Sequence, residues 1–229
     1  MPSDFPPPQR TLRAIAFDMD GVLATSEDVY ERVGTETLRR RGKTFDDDLR
    51  NKMMGLPPAA ALQTMIDWHS LDDTIEEIAI ESEKTFWELA GDDLNPMPGV
   101  HDLFDHIEAA GLPRGVVTSG TRNYAERILR IVGVRDRLKF VITADDVRIG
   151  KPDPEPYLMA AAEHGIDPAE MVVFEDSANG CRAAVTAGAY TVAVPSPHTQ
   201  GHDFTGAAFV ADTLEDPRIV SLIKVCGPK

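Results

Sequence analysis

Asp18 and Asp20 stand two residues apart, directly after the apolar run Ala14-Ile15-Ala16-Phe17 and directly before Gly21. A short apolar run bounded by a turn signal reads as a buried strand. A carboxylate at the end of such a strand is costly to desolvate without a partner, and a cation supplies one. Alternation places Asp18 and Asp20 on one side, with Met19 pointing away, while Gly21 lets the chain turn sharply. Three other stretches end or continue in the same loaded way. Gly115-Val116-Val117-Thr118 leads into Ser119-Gly120, where hydroxyl and N–H groups could hold an oxyanion. Lys151 follows the run Phe140–Thr143, on its connection, and Met171–Phe174 runs into Glu175-Asp176. Each group alone is an ordinary turn; together they bring carboxylates from two strands, one ammonium and a hydroxyl to one sheet edge. Carboxylates that close raise one another's pKa unless a divalent cation keeps them ionised. An oxygen-only ligand set of this kind suits Mg²⁺.

The elements needed to position these residues can be read in turn. From Thr25, whose spacing to Asp28 fits a capping box, a helix is expected to about Arg41 before Gly42. A second begins at Pro57-Pro58, with Leu62, Met65 and Ile66 on one face, and a third covers Asp73 to Leu89. No strand signal interrupts this region, which reads as an inserted all-α module. Asn95-Pro96-Met97-Pro98-Gly99 is the hinge back. Beyond it helix and strand alternate: helices at 100–109, 123–132, 154–164 and 179–187, strands at 115–118, 140–143, 171–174 and 191–194, and a last helix within 215–225. Such alternation predicts a parallel sheet covered on both faces, with ligands at the carboxyl ends of its strands. Residues 1–10 are Pro-rich and are expected to be poorly ordered.

The chain has 229 residues and a net charge of −15, from 38 acidic against 23 basic residues. That balance argues against a nucleic-acid partner, which needs a basic face. It leaves room for a small anionic substrate, because one lysine and a metal reverse the sign locally. The two cysteines, Cys181 and Cys226, lack ligand spacing, and no stretch reads as a signal peptide or membrane span. The expectation is a cytoplasmic, monomeric protein with room for a small anionic substrate, without nucleic acid or membrane. His198 and His202 lie in a Pro/Gly-rich stretch that reads as an exposed loop.

The stretches FDMDGVL, TSG, GKPDPEPY and VVFEDS resemble, in order and spacing, the four motifs of the haloacid dehalogenase superfamily. They are most similar to its phosphatase and β-phosphoglucomutase-like side, and VVTSGTRNYAERIL and FVITADDVRIGKPDPEPYL resemble sugar- and glycerol-phosphate phosphatases. The resemblance implies a Rossmann-like α/β core over 11–24 and 96–229, a helical cap over 25–95, and Mg²⁺ in the active site. It implies Asp18 as the nucleophile that takes the phosphoryl group, and Asp20 as the acid that protonates the leaving oxygen and then activates water. Asp20 would also offer its backbone carbonyl to the metal. Asp18, Asp20 and Asp176 would be the magnesium ligands, with Glu175 in support. Ser119, with the Gly120 N–H, would hold phosphoryl oxygens, with Thr118 as the alternative, and Lys151 would neutralise charge on nucleophile and phosphoryl group.

The chain departs from the pattern in two places. Many relatives carry an aspartate where Thr25-Ser26 stands, which leaves Glu27, Asp28 or neither as the acidic group at the joint. After Gly55, where the mutase cap loop carries a phosphate-gripping arginine, this chain has Leu56-Pro57-Pro58. Hydrolysis of a small sugar or polyol phosphate is therefore expected ahead of a phosphoglucomutase reaction. A non-catalytic binding protein is the remaining alternative.

Overall fold

Six strands form one parallel sheet in the computed structural model, which describes residues 5–53, 56–91 and 93–226. They are β1 (Ala14–Phe17), β2 (Arg114–Val117), β3 (Val141–Ile142), β4 (Met171–Glu175), β5 (Tyr190–Ala193) and β6 (Phe209–Val210). The sheet order is β3-β2-β1-β4-β5-β6, every neighbouring pair being parallel. The strand order reverses between β1 and β4, and such a switch point is where doubly wound sheets open a crevice at their carboxyl ends.

Between β1 and β2 the described residues form five helices, of which the first four are α1 (Glu27–Arg40), α2 (Asp47–Met53), α3 (Pro58–His69) and α4 (Ile75–Ala90). The helices that follow are α5 (Val100–Ala109), α6 (Arg122–Ile131), α7 (Glu155–His164), α8 (Ala178–Ala187) and α9 (Pro217–Val225). The chain divides into two compact units, Met1–Ala24 with Asn95–Lys229, and Thr25–Leu94. None of the described helices is long and apolar enough to cross a membrane.

Alternation along the strands sorts the core of the first unit. Ala16, Val117 and Val173 join Tyr157, Ala160 and Ala184 in one buried cluster beneath α7 and α8. Phe17, one residue on, stacks instead on Phe104 of α5 and on Phe174, at ring distances of 5.2 and 5.1 Å. The next alternation returns Asp18 to the α7/α8 side, and Glu175 follows Val173 to that side in the same way. In the second unit Leu38, Leu49, Met65, Ile66 and Ile78 make a separate small core. Arg41 ties its surface together by bonding Asp73 and Glu81.

The structure corrects several sequence readings. Helix α1 starts at Glu27 with Ser26 in the N-cap position, not with a Thr25 capping box, and the Thr25 hydroxyl donates to the Asp93 carbonyl. A capping box does form at α4, between Thr74 and Glu77. Helix α2 and strand β6 were not expected; seven and two residues are too few to show a period. Residues from Phe5 onward are not loose, because Phe5 is buried with its ring 5.4 Å from Phe209. The Tyr190 hydroxyl donates to the Pro6 carbonyl at 2.6 Å.

Candidate active site

The turn after β1 begins the site. Asp18 continues the strand, its N–H donating to the Phe174 carbonyl at 2.9 Å. Met19 is fully buried and its carbonyl accepts from the N–H groups of Leu23 and Ala24, so the turn is anchored from below. Gly21 makes that turn possible with φ near 77°, a conformation few other residues adopt without strain.

Lys151 is the centre of the buried charges. Its Nζ donates to Asp18 Oδ1 at 2.5 Å, to Glu175 Oε1 at 2.6 Å and to the Val117 carbonyl at 2.9 Å. Three strand ends thus meet on one ammonium. Glu175 is fully buried and fully engaged. Tyr157 donates to its Oε1 at 2.7 Å, and the N–H and hydroxyl of Ser177 donate to its Oε2 at 3.3 and 3.1 Å. Gly180 makes room for this carboxylate, since a Cβ there would lie 1.8 Å from Glu175 Oε1. Asp176, also buried, accepts from the Thr199 hydroxyl at 3.3 Å.

Burial pushes the Asp18 carboxyl well above the usual carboxylate range; Lys151 pulls it back, while Glu175 and Asp20 add to the rise. Burial alone would lower the Lys151 ammonium, but Asp18 and Glu175 outweigh it and hold the group above the ordinary lysine value. Burial and then Glu175 raise the Tyr157 hydroxyl, which keeps it a donor.

Asp18, Glu175 and Asp176 form a buried cluster whose carboxylate oxygens lie within 4.8 Å of one another. The donors are hard oxygens and the acids outnumber the one lysine, so the set is compatible with a divalent cation. The side chain of Asp20, one of the expected ligands, lies outside that cluster; its Oδ1 accepts from the Tyr124 hydroxyl at 2.7 Å. Glu175 joins the cluster geometrically, yet both of its oxygens already serve Lys151, Tyr157 and Ser177.

At the end of β2, Thr118 is buried and its hydroxyl accepts from the Gly120 N–H at 3.0 Å, while Ser119 is exposed beside it. Of this trio Ser119 therefore presents the more accessible hydroxyl, and the Gly120 N–H already has a partner in Thr118. Arg122, which follows the same turn, is committed to structure, bonding the Val141 carbonyl and Asp146. His198 and His202 are half-buried, not exposed as the sequence suggested. His202 Nδ1 accepts from the Ala178 N–H at 3.3 Å and helps to seat the start of α8.

Sequence reasoning missed Tyr124, Tyr157, Ser177 and Thr199. A signal existed for Tyr157, an aromatic with a polar tip near the start of the helix that follows Lys151. Ser177 is an N-cap residue one position beyond Asp176 and was legible in that role. Tyr124 and Thr199 meet their partners 104 and 23 residues away, and no local pattern announces such pairs.

Residues 15–194 match the family model described as haloacid dehalogenase-like hydrolase. The chain belongs to that family. It is 34% identical over 191 residues to validoxylamine A 7'-phosphate phosphatase of Streptomyces hygroscopicus subsp. limoneus, covering 80% of this chain and 85% of the relative. It is 30% identical over 181 residues to the phosphorylated carbohydrates phosphatase of Thermotoga maritima, covering 77% and 82%. Among solved structures, a variant of CbbY from Rhodobacter sphaeroides in complex with xylulose-(1,5)bisphosphate superposes with a TM-score of 0.79 at 27% identity. That match covers 89% of this chain and 95% of the other. The parallel sheet with its flanking helices is the α/β fold of these haloacid dehalogenase-like structures.

Proposed function

We propose that this phosphoric monoester hydrolase cleaves a small phosphorylated sugar or polyol through an aspartyl-phosphate on Asp18. The observation that carries the reading is the Lys151 ammonium held between Asp18 and Glu175 at the switch point of the sheet. In the first step an Asp18 oxygen forms a bond to phosphorus, the bond to the leaving oxygen breaks, and Asp20 gives that oxygen its proton. In the second step a water oxygen bonds to phosphorus, the Asp18 oxygen leaves, and Asp20 takes the proton of the water. Lys151 faces the nucleophile and offsets phosphoryl charge, and Ser119 with its neighbouring backbone holds the transferred oxygens. Asp18, Asp176 and the Asp20 carbonyl would hold Mg²⁺, which when bound supplies the charge that keeps Asp18 ionised and lowers the cost of the transferring phosphoryl group.

The substrate class draws support from the named relatives, which are phosphatases of phosphorylated carbohydrates and of a phosphorylated validoxylamine. We read Thr25–Leu94 as the cap that selects among such esters. Gly55, to which the mutase comparison is anchored, lies outside the described residues. Leu56 after it is exposed, and Pro58 opens α3. The cations preceding it are engaged within their own unit, Arg50 with Glu31 and Asp47, and Lys52 over the Trp68 ring. A loop of this kind supports hydrolysis over retention of a doubly charged intermediate.

The test is phosphate release from a panel of sugar and polyol phosphates, with and without Mg²⁺, alongside β-glucose 1-phosphate with a trace of the 1,6-bisphosphate. Hydrolysis predicts free phosphate that stops on exhaustive chelation, and a melting temperature that rises when Mg²⁺ is added back. Glucose 6-phosphate accumulating much faster than free phosphate would establish the mutase instead, and no turnover at all would leave a binding protein.

A further inference from the structure

Tyr124 lies on α6, one turn past the Thr118-Ser119-Gly120 corner, and its side chain is almost fully buried. Its hydroxyl donates to Asp20 Oδ1 at 2.7 Å. We propose that Tyr124 is the positioning residue for the proton-transferring carboxyl of Asp20, an inference that rests on the phosphatase reading above. Asp20 follows the end of β1 by three residues and lies outside the strands of the sheet, in an isolated bridge with Ala24. Tyr124, in contrast, belongs to a helix whose N-cap Thr121 accepts from the Tyr124 N–H. The bond therefore ties a carboxyl outside the strands to a rigid element.

The corner is shaped to admit the ring. A Cβ on Gly120 would stand 2.7 Å from Tyr124 Cδ1, so the glycine leaves the space through which the tyrosine reaches across to β1. A residue present for packing alone has no need to aim a hydroxyl at a carboxylate. Proton transfer is sensitive to such aim: a misplacement of about 1 Å can cost about a hundred-fold in rate. The proton that Asp20 gives to the leaving oxygen, and later recovers from water, then moves along a path set by Tyr124.

Tyr124→Phe keeps the ring over Gly120 and removes only the hydroxyl. The two half-reactions separate its effects. p-Nitrophenolate leaves with little need of a proton, so the burst from p-nitrophenyl phosphate should stay within about two-fold of wild type. The following phosphate release, which uses Asp20 as base, should slow by about ten-fold or more, as should the single-turnover cleavage of glycerol 3-phosphate, whose alkoxide must be protonated. KM for glycerol 3-phosphate should change little, because both of its chemical steps slow together. Asp20→Asn supplies the reference, with the same split in a stronger form. A Tyr124→Phe enzyme in which burst, steady state and glycerol phosphate cleavage all fall by one factor, or in which none falls, overturns the positioning role while Asp20→Asn still supports the phosphatase. Wild type that releases no phosphate from any ester overturns both.

Discussion

At the scale of single residues, Lys151 compensates two buried carboxylates. It is the cation bonded to Asp18 and Glu175, and all three side chains are buried. Removing one member of a buried charge set typically costs about 3–5 kcal/mol, because the charge left behind has lost its compensation. Lys151→Met should therefore lower stability by about that amount in denaturant titrations and abolish turnover, and Mg²⁺ should restore part of the stability but none of the activity. Asp18→Asn is the opposite case. The amide keeps the shape and relieves the crowding of acids, so the variant should fold at least as well as wild type. Its turnover should fall by about a hundred-fold or more, because the nucleophilic oxygen is gone. Appreciable turnover in Asp18→Asn would rule out the aspartyl-phosphate route.

At the scale of elements, the register of β1 on β4 sets the height of the acids. Phe17 pairs with Phe174, so the next residues, Asp18 and Glu175, emerge level with each other. Ser177 links this edge to α8, since its hydroxyl caps the helix through the Gly180 N–H at 3.1 Å and also donates to Glu175. Ser177→Ala should cost about 1 kcal/mol as a lost cap, a fall of about 2–4 °C in Tm, with a smaller loss of turnover as Glu175 loosens. An unchanged Tm would show that the cap bond contributes nothing. These links also explain what could be read beforehand. AIAF and MVVF were legible as strands because each is an apolar run closed by acids, and α5 because Val100, Leu103, Phe104 and Ile107 repeat at helical spacing. Convergence of Asp18, Lys151, Glu175 and Asp176 followed from parallel strands ending together. The Tyr124–Asp20 bond was illegible, because an aromatic on an amphipathic helix has the same pattern whether it fills a core or serves a carboxylate. Strand β6 escaped because its role comes from pairing with β5, not from its own two residues.

At the scale of the whole molecule, stability should depend on pH through His164. Its Nε2 faces the Ile15 carbonyl at 3.1 Å, while Nδ1 is buried without a hydrogen-bond partner among the described residues. Burial holds the imidazole down to about 4, against an ordinary value of 6.5. Between those values the unfolded chain binds more protons than the folded one, so stability rises with pH across that window. It is complete above the upper value and is lost as pH falls towards the lower. Denaturant midpoints measured across the window should fall more steeply on acidification for wild type than for His164→Leu, and parallel curves would assign the slope elsewhere. The place of β1 in the sheet has a consequence of another kind, for synthesis on the ribosome. The strand at the middle of the sheet is made first, and its partner β4 follows roughly 150 residues later, a wait of about 8–30 s at ordinary rates of translation. Early in that interval the helices of Thr25–Leu94 emerge and can assemble their own small core, and until β2 is made AIAF has neither neighbour. Arg13 and Asp18, a charge on each side of four apolar residues, then guard the nascent strand against pairing with other chains before they bound the finished one.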